Sequence, residues 1–208
     1  MPMKLELRTR PVGQYNMNAC ALVCPDTKQS VLIDPGDDPD VLQDMLRETQ
    51  AIAILLTHTH FDHVGALAEM RARLQVPLML HRGPHAEGFE TEADRWREDG
   101  DPLRLGEHSL RIFYAPGHTA DQICIVLDDP RVIVGDTIFE GGPGKTWSVE
   151  GFQTTLKTLR EIILRWSDDT VCYPGHGPSF RLGDHRHEIE TFLSKDHGEF
   201  FGDATWGM

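Results

Sequence analysis

The sequence predicts an α/β fold in which two β-sheets lie face to face with helices outside them. Two observations carry that reading. Strand-like runs come first, a helix follows, and the same order then repeats. In addition, several strand-like runs stop on a His or Asp in a short polar loop, the position where α/β folds tend to gather ligands. A chain of 208 residues is long enough for one domain with a proper core and little more, so residues 1–208 are read as a single domain.

The elements follow in order. Lys4–Arg8 alternates like an edge strand, and Asn16–Val23 and Ser30–Ile33 are two more, joined by the turn-forming Pro25-Asp26-Thr27-Lys28. Asp34-Pro35-Gly36 ends the third. Asp40–Glu48 carries Val41, Leu42, Met45 and Leu46 at helical spacing. The branched run Ala51–Leu56 suits a buried strand, Val64–Arg73 a helix, and Pro77–His81 a short strand. Residues 82–101 are acidic and nearly free of aliphatics, which predicts a solvated insertion. The functional alternative is a flap touching the site through Phe89 or Trp96. His81 and His85, which flank it, read as surface or structural histidines. Strands resume at Ser109–Tyr114, Gln122–Leu127 and Arg131–Val134. Val149–Trp166 is the longest helical pattern, its stripe being Phe152, Leu156, Leu159, Ile162, Ile163 and Trp166. Thr170–Tyr173 is a last strand, and Asp184 reads as the cap of a final helix reaching His197, with His185, His187 and His197 exposed.

Composition excludes several classes. The formal charge of −13 argues against a nucleic-acid substrate held by a broad basic surface. No apolar run approaches the roughly 20 residues that span a bilayer, and no secretory pattern is read in Met1–Arg8. Cys20, Cys24, Cys124 and Cys172 sit in apolar, strand-like settings, as free buried thiols of a cytoplasmic protein do.

The chemistry concentrates in Thr57-His58-Thr59-His60-Phe61-Asp62-His63, between a strand and a helix. Imidazole and carboxylate suit zinc, iron and manganese. The spacing is not that of His-Glu-x-x-His on one helix face. Three later strand ends each offer one more donor: His118 after Pro116-Gly117, Asp136 after Val132–Gly135, and His176 after Pro174-Gly175. Gly141-Gly142-Pro143-Gly144-Lys145-Thr146 is not a phosphate loop, because that motif needs Gly where Phe139 stands.

The His-x-His-x-Asp-His stretch, with the later donors in this order, resembles the metallo-β-lactamase superfamily. The resemblance implies an αββα sandwich and two divalent ions, zinc first, with iron or manganese compatible with the same donors. It assigns His58, His60 and His118 to one ion, and Asp62, His63 and His176 to the other. Asp136 bridges them, Asp62 and Asp136 are the catalytic carboxylates, and Asp34 supports the site from behind. It further implies that the ions, about 3.5–4 Å apart, activate water against a small acyl substrate. Asp136 separates the chain from the β-lactamase branches, and Phe139 stands where the lactonases carry a tyrosine. Gly135-Asp136-Thr137-Ile138-Phe139 and Gly142-Pro143-Gly144-Lys145 are similar to the motifs of glyoxalase II, which casts Lys145 as the anchor of a substrate carboxylate. Pro178 replaces a tyrosine of that family, and only about 30 residues follow His176, as in short, single-domain glyoxalase II-like proteins. The expected function is therefore thioester hydrolysis. The alternative is a persulfide dioxygenase with one iron on His58, His118 and Asp136, although that family has Arg-Thr where this chain has Lys145-Thr146.

Overall fold

In a computed structural model, which describes residues 3–208, two six-stranded sheets are stacked between helices. The first sheet runs in chain order: β1 (Glu6–Val12), β2 (Met17–Val23), β3 (Gln29–Ile33), β4 (Gln50–Leu55), β5 (Leu78–His81) and β6 (Arg95–Arg97). Its first three strands are antiparallel and the rest parallel. The second sheet contains β7 (Pro102–Leu105), β8 (His108–Tyr114), β9 (Ile123–Val126), β10 (Arg131–Gly135), β13 (Val171–Pro174) and β14 (Phe180–Arg181), ordered β14-β13-β10-β9-β8-β7. A small ribbon, β11 (Ile138–Phe139) with β12 (Gly142–Pro143), follows β10. The helices are α1 (Pro39–Met45), α2 (Phe61–Val64), α3 (Leu67–Leu74), α4 (Val149–Glu161) and α5 (Leu182–Ser194).

Three apolar layers hold the sandwich together. Between the sheets, Leu22, Val31, Ile33 and Leu55 of the first meet Leu110, Ile112, Ile123, Ile125 and Ile133 of the second. On the outer face of the first sheet, Leu42, Met45, Leu67 and Met70 of α1 and α3 cover Leu32, Ile54 and Leu78. On the outer face of the second, Phe152, Leu156 and Leu159 of α4 join Ile189 and Phe192 of α5 over Val132, Val134 and Cys172. The four cysteines are buried and unpaired.

Several boundaries differ from the sequence expectation for identifiable reasons. The helix expected over Val64–Arg73 is interrupted at Gly65-Ala66. There the Ala66 amide donates to Pro35 O at 2.9 Å, and a Cβ on Gly65 would run into Gly36 O. The long helix stops at Glu161 and tightens into a 3₁₀ turn at Ile163–Arg165, still presenting Ile163 to the core. Its start is capped by Ser148, whose Oγ accepts from the Gly151 amide at 3.0 Å. Asp184 lies in the first turn of α5 rather than capping it, because the helix already begins at Leu182. His197 lies beyond that helix and is half-buried: its Nε2 donates to Phe192 O at 2.8 Å, with the rings 4.3 Å apart.

Residues 82–101 are largely solvated, as expected, but they are also tied to the first sheet. Arg95–Arg97 pairs with β5, and Phe89, Ala93 and Trp96 pack on the outer core of the first sheet. Neither Phe89 nor Trp96 lines the cavity described below, so the contacts expected of a flap are not made by them. Asp94 closes the segment by accepting from the Leu78 amide and from Arg71, each at 2.8 Å.

Candidate metal centre

The donors converge because of sheet order. Asp34 follows β3 and Thr57–His63 follows β4, neighbouring parallel strands with Ile33 beside Leu55. Across the sandwich, β10 and β13 are parallel with Gly135 beside Pro174, so Asp136 and His176 leave the sheet edge together. The two edges are tied directly. Ile123 N donates to Thr57 O at 2.8 Å, Asn18 N to Gly175 O at 2.7 Å, and Asn18 Nδ2 to Gly177 O at 2.8 Å.

His58, His60 and His118 bring one nitrogen each within 4.8 Å of the others, and Asp62, His63 and His176 do the same with their donor atoms. Asp136 lies between these groups. Its Oδ1 is 3.4 Å from His63 Nε2, and its Oδ2 is 3.6 Å from both His118 Nε2 and His176 Nε2. Asp62 Oδ2 is 3.1 Å from His176 Nε2, and His60 Nδ1 is 2.9 Å from His118 Nε2. All seven expected ligands are thus gathered at one place.

The outer hydrogen bonds set the imidazole tautomers. His118 Nδ1 donates to Lys145 O at 2.7 Å and His176 Nδ1 to Tyr15 O at 3.2 Å, since carbonyls only accept. His63 Nδ1 donates to Asp34 Oδ2 at 2.9 Å. The Thr57 hydroxyl gives its proton to Asp34 Oδ2 at 2.6 Å, so it accepts from His58 Nδ1 at 3.1 Å. In each case the Nε2 lone pair is turned inward, as metal-binding histidines require. Asp34 does this from a left-handed backbone, φ +52°, a conformation that costs ~1–3 kcal/mol and persists where surrounding contacts enforce it. The Thr57 amide supplies one such contact, donating to Asp34 Oδ1 at 2.7 Å.

Two observations test the fit of this set to metal ions. His58 Nε2, His63 Nε2 and Asp136 Oδ1 are buried with no hydrogen-bond partner, which is costly for polar atoms unless a cation occupies the space between them. Gly175 and Gly144 lie so close that a Cβ on the first would meet Asp136 Oδ1 and come within 2.6 Å of His63 Cε1, while one on the second would meet Asp136 O. The chain thus keeps side chains out of the gap while surrounding it with donors.

The charges are mutually dependent. Burial lowers His60 to about 4, with help from His118, and takes His58 well below the ordinary value. For Asp136, burial works upward but is outweighed by His63, His118 and His176, leaving it at about 2. Burial also opposes protonation of His63, and the Asp136 and Asp34 carboxylates overcome it and raise its pKa, so that its inward Nε2 carries a proton whose place a cation would take.

A cavity of about 770 Å³ opens beside His60 and His118. Phe61 and Trp147 stand at it with 66% and 62% of their surface exposed, an unusual state for large aromatics, and Tyr114, Pro116, Glu87 and Glu150 complete much of the lining. Thr59 braces one wall: its hydroxyl donates to the buried Asp121 Oδ2 at 2.6 Å and accepts from the Ala86 amide at 2.8 Å. Trp147, Tyr114 and Asp121 were not legible as residues of the cavity or its walls, since an isolated aromatic or acid carries no spacing. His81 stacks on Tyr114 at 4.2 Å, and His85 donates to His81 O at 2.9 Å. Lys145 holds His118 through its carbonyl, whereas its ammonium pairs with Asp203 at 3.0 Å and is absent from the cavity lining.

A family model described as the metallo-beta-lactamase superfamily matches residues 15–176. The chain belongs to this superfamily. Its members typically bind divalent metals, and the seven convergent donors form a candidate site for them. The probable metallo-hydrolase YqgX of Bacillus subtilis is 32% identical over 194 residues, covering 84% of this chain and 91% of that protein. Hydroxyacylglutathione hydrolase GloC of Haemophilus influenzae is 28% identical over 206 residues, covering 89% and 97%. Among solved structures, TTHA1623 in a di-iron-bound form superposes with a TM-score of 0.72 at 28% identity, covering 89% of this chain and 96% of that one. No helix among the described residues is long and apolar enough to cross a membrane.

Proposed function

We propose that this chain is a dinuclear metal-dependent hydrolase of small activated acyl substrates, thioesters first. The observation that carries the reading is the position of Asp136 between two complete donor groups. A glyoxalase II relative that aligns with nearly its whole length supports the hydrolytic class. His58, His60 and His118 would hold one ion and Asp62, His63 and His176 the other, with Asp136 reaching both. At that place a pair of divalent ions would supply an acidified water and a Lewis acid for a carbonyl. Zinc is the first expectation, and the di-iron form of one structural relative keeps iron in view.

The chain's own residues then orient and shield. Asp34, Thr57, Tyr15 O and Lys145 O fix the ring orientations from outside. Phe61, Trp147, Tyr114 and Pro116 offer an apolar wall to the acyl group beside His60 and His118. No strong general acid is needed for a thiol leaving group, whose pKa is about 8.5. Lys145, at the Trp147 edge of the cavity, is assigned to the recognition of an anionic group on the substrate. The whole chain is taken as one catalytic domain, and its unpaired cysteines suit a reducing, cytoplasmic setting.

The test is elemental analysis of protein purified without added metal, followed by assay of metal-replete enzyme on S-lactoyl and S-acetyl thioesters. Two ions per chain with thioester turnover supports the proposal. A metal-replete protein that turns over no thioester refutes it.

A further inference from the structure

Among the described residues, the side chains that line the cavity beside the candidate metal centre offer an anion no lysine or arginine partner, whereas Glu87 and Glu150 are part of the lining. Lys145 is the cation at its edge, with Nζ 5.0 Å from the centre of the Trp147 ring, and Trp147 is part of the lining. That ammonium already has a carboxylate partner, Asp203, at 3.0 Å.

Asp203 is not at the end of a loose tail. Its flanking residues form a strap along the glycine-rich loop that carries Lys145. Thr146 N donates to Gly202 O at 3.1 Å, and Gly202 N to Thr146 Oγ1 at 3.3 Å. Trp206, only 6% exposed, donates from Nε1 to Glu140 O at 2.8 Å and from its amide to Gly141 O at 3.1 Å. Ala204 O lies directly over Gly142, where a side chain would collide with it. The backbone on both sides of Asp203 is therefore fixed independently of the ion pair, so the pair costs only the side-chain entropy of its two partners. Both partners remain substantially open, at 42% and 77% exposure, so a substrate group can reach the ammonium and displace the carboxylate.

We infer that Asp203 is an internal competitor for Lys145: it occupies the ammonium that a substrate carboxylate would use, and so weakens the binding of anionic acyl thioesters relative to neutral ones. This rests on the hydrolase reading above, which makes the cavity the substrate site. Asp203 is a specificity-determining residue, and it touches none of the candidate metal ligands in the polar contacts of the chain.

The experiment uses a matched pair, the S-acetyl thioesters of 3-mercaptopropionate and of 3-mercaptopropionamide, which differ by one charge. Asp203→Asn is expected to lower KM for the acid by about three- to fivefold, the range an exposed ion pair supports, with the amide and kcat little changed. Lys145→Ala should erase the effect of Asp203→Asn, so the double variant behaves as Lys145→Ala alone. Raising salt to 0.5 M should shrink the gap. Equal responses of acid and amide, or no response, overturn the inference and leave the pair as a surface contact. The same competition is read without turnover by titrating 3-(methylthio)propionate and its amide into wild type and Asp203→Asn. Absence of thioester turnover would defeat the hydrolase reading alone, because tighter binding of the acid by the variant still reports the competition, and unchanged binding still defeats it.

Discussion

Asp34 Oδ2 lies 2.9 Å from His63 Nδ1 and 2.6 Å from the Thr57 hydroxyl, so one buried carboxylate orients two imidazoles, His63 directly and His58 through Thr57. Asp34→Asn isolates this role, because Asn tolerates the left-handed backbone at this position. With the amide oxygen on the Thr57 side, the amide NH₂ cannot accept from His63 Nδ1, so the His63 proton moves to the inward nitrogen. The expected result is a loss of about 10–100-fold in metal affinity, greater for the group containing His63. Chelator competition measures it, and unchanged affinity at both sites would show that Asp34 merely packs.

His176→Ala separates the two candidate sites. His176 contributes to the group with Asp62 and His63 and is absent from the group of His58, His60 and His118. Metal content is expected to fall from two ions per chain to about one, retained by the three-histidine group. A wild-type protein that stays at one ion in excess metal would contradict the dinuclear reading and favour the mononuclear iron alternative.

These arrangements were legible in the sequence to different depths. Strand ends followed by His or Asp were readable because buried strands are apolar runs with abrupt polar stops, and that pattern, together with the motif resemblance, singled out seven residues whose donor atoms lie close together in the fold. The hydrophobic stripe of α4 was readable for the same reason, through Phe152, Leu156 and Leu159. By contrast, β6 is Arg-Trp-Arg, whose pairing comes from its neighbour β5 rather than from its own alternation. Helix breaks at Gly65-Ala66 depend on a distant backbone group, Pro35 O, which no local window contains. The partner of Lys145 was hidden likewise, since Asp203 is brought to it by the anchoring of Trp206.

Asp136→Ala tests the shared carboxylate. The residue is buried and faces His63, His118 and His176 at 3.4–3.6 Å, so its loss removes negative charge from both donor groups at once. Hydrolysis is expected to fall by more than about a hundredfold, with the far-ultraviolet spectrum of the metal-replete variant unchanged. Activity within tenfold of wild type would show that Asp136 does not bridge.

A pH dependence of stability is expected far from the metal centre, at His108. Its ring is buried and meets an acceptor at each nitrogen: Nδ1 lies 2.7 Å from Asp128 Oδ2, and Nε2 lies 3.0 Å from Met3 O. Only the imidazolium can donate to both. Burial disfavours that charge, but the bond to Asp128 and its negative charge outweigh burial, so the pKa of His108 is raised in the folded chain. A raised folded value means that the folded state holds the proton more tightly than the unfolded state. The stabilisation is therefore complete below the unfolded value of about 6.5 and disappears as pH rises through the higher folded value. His108→Gln removes the titration and keeps a polar side chain. In urea unfolding the stability gap between wild type and variant should be widest near pH 5.5 and should narrow steadily toward pH 9. Contributions shared by the two proteins cancel, so the difference isolates His108. A gap that is constant across the range would mean that His108 is held neutral and that its two acceptors share no proton from it.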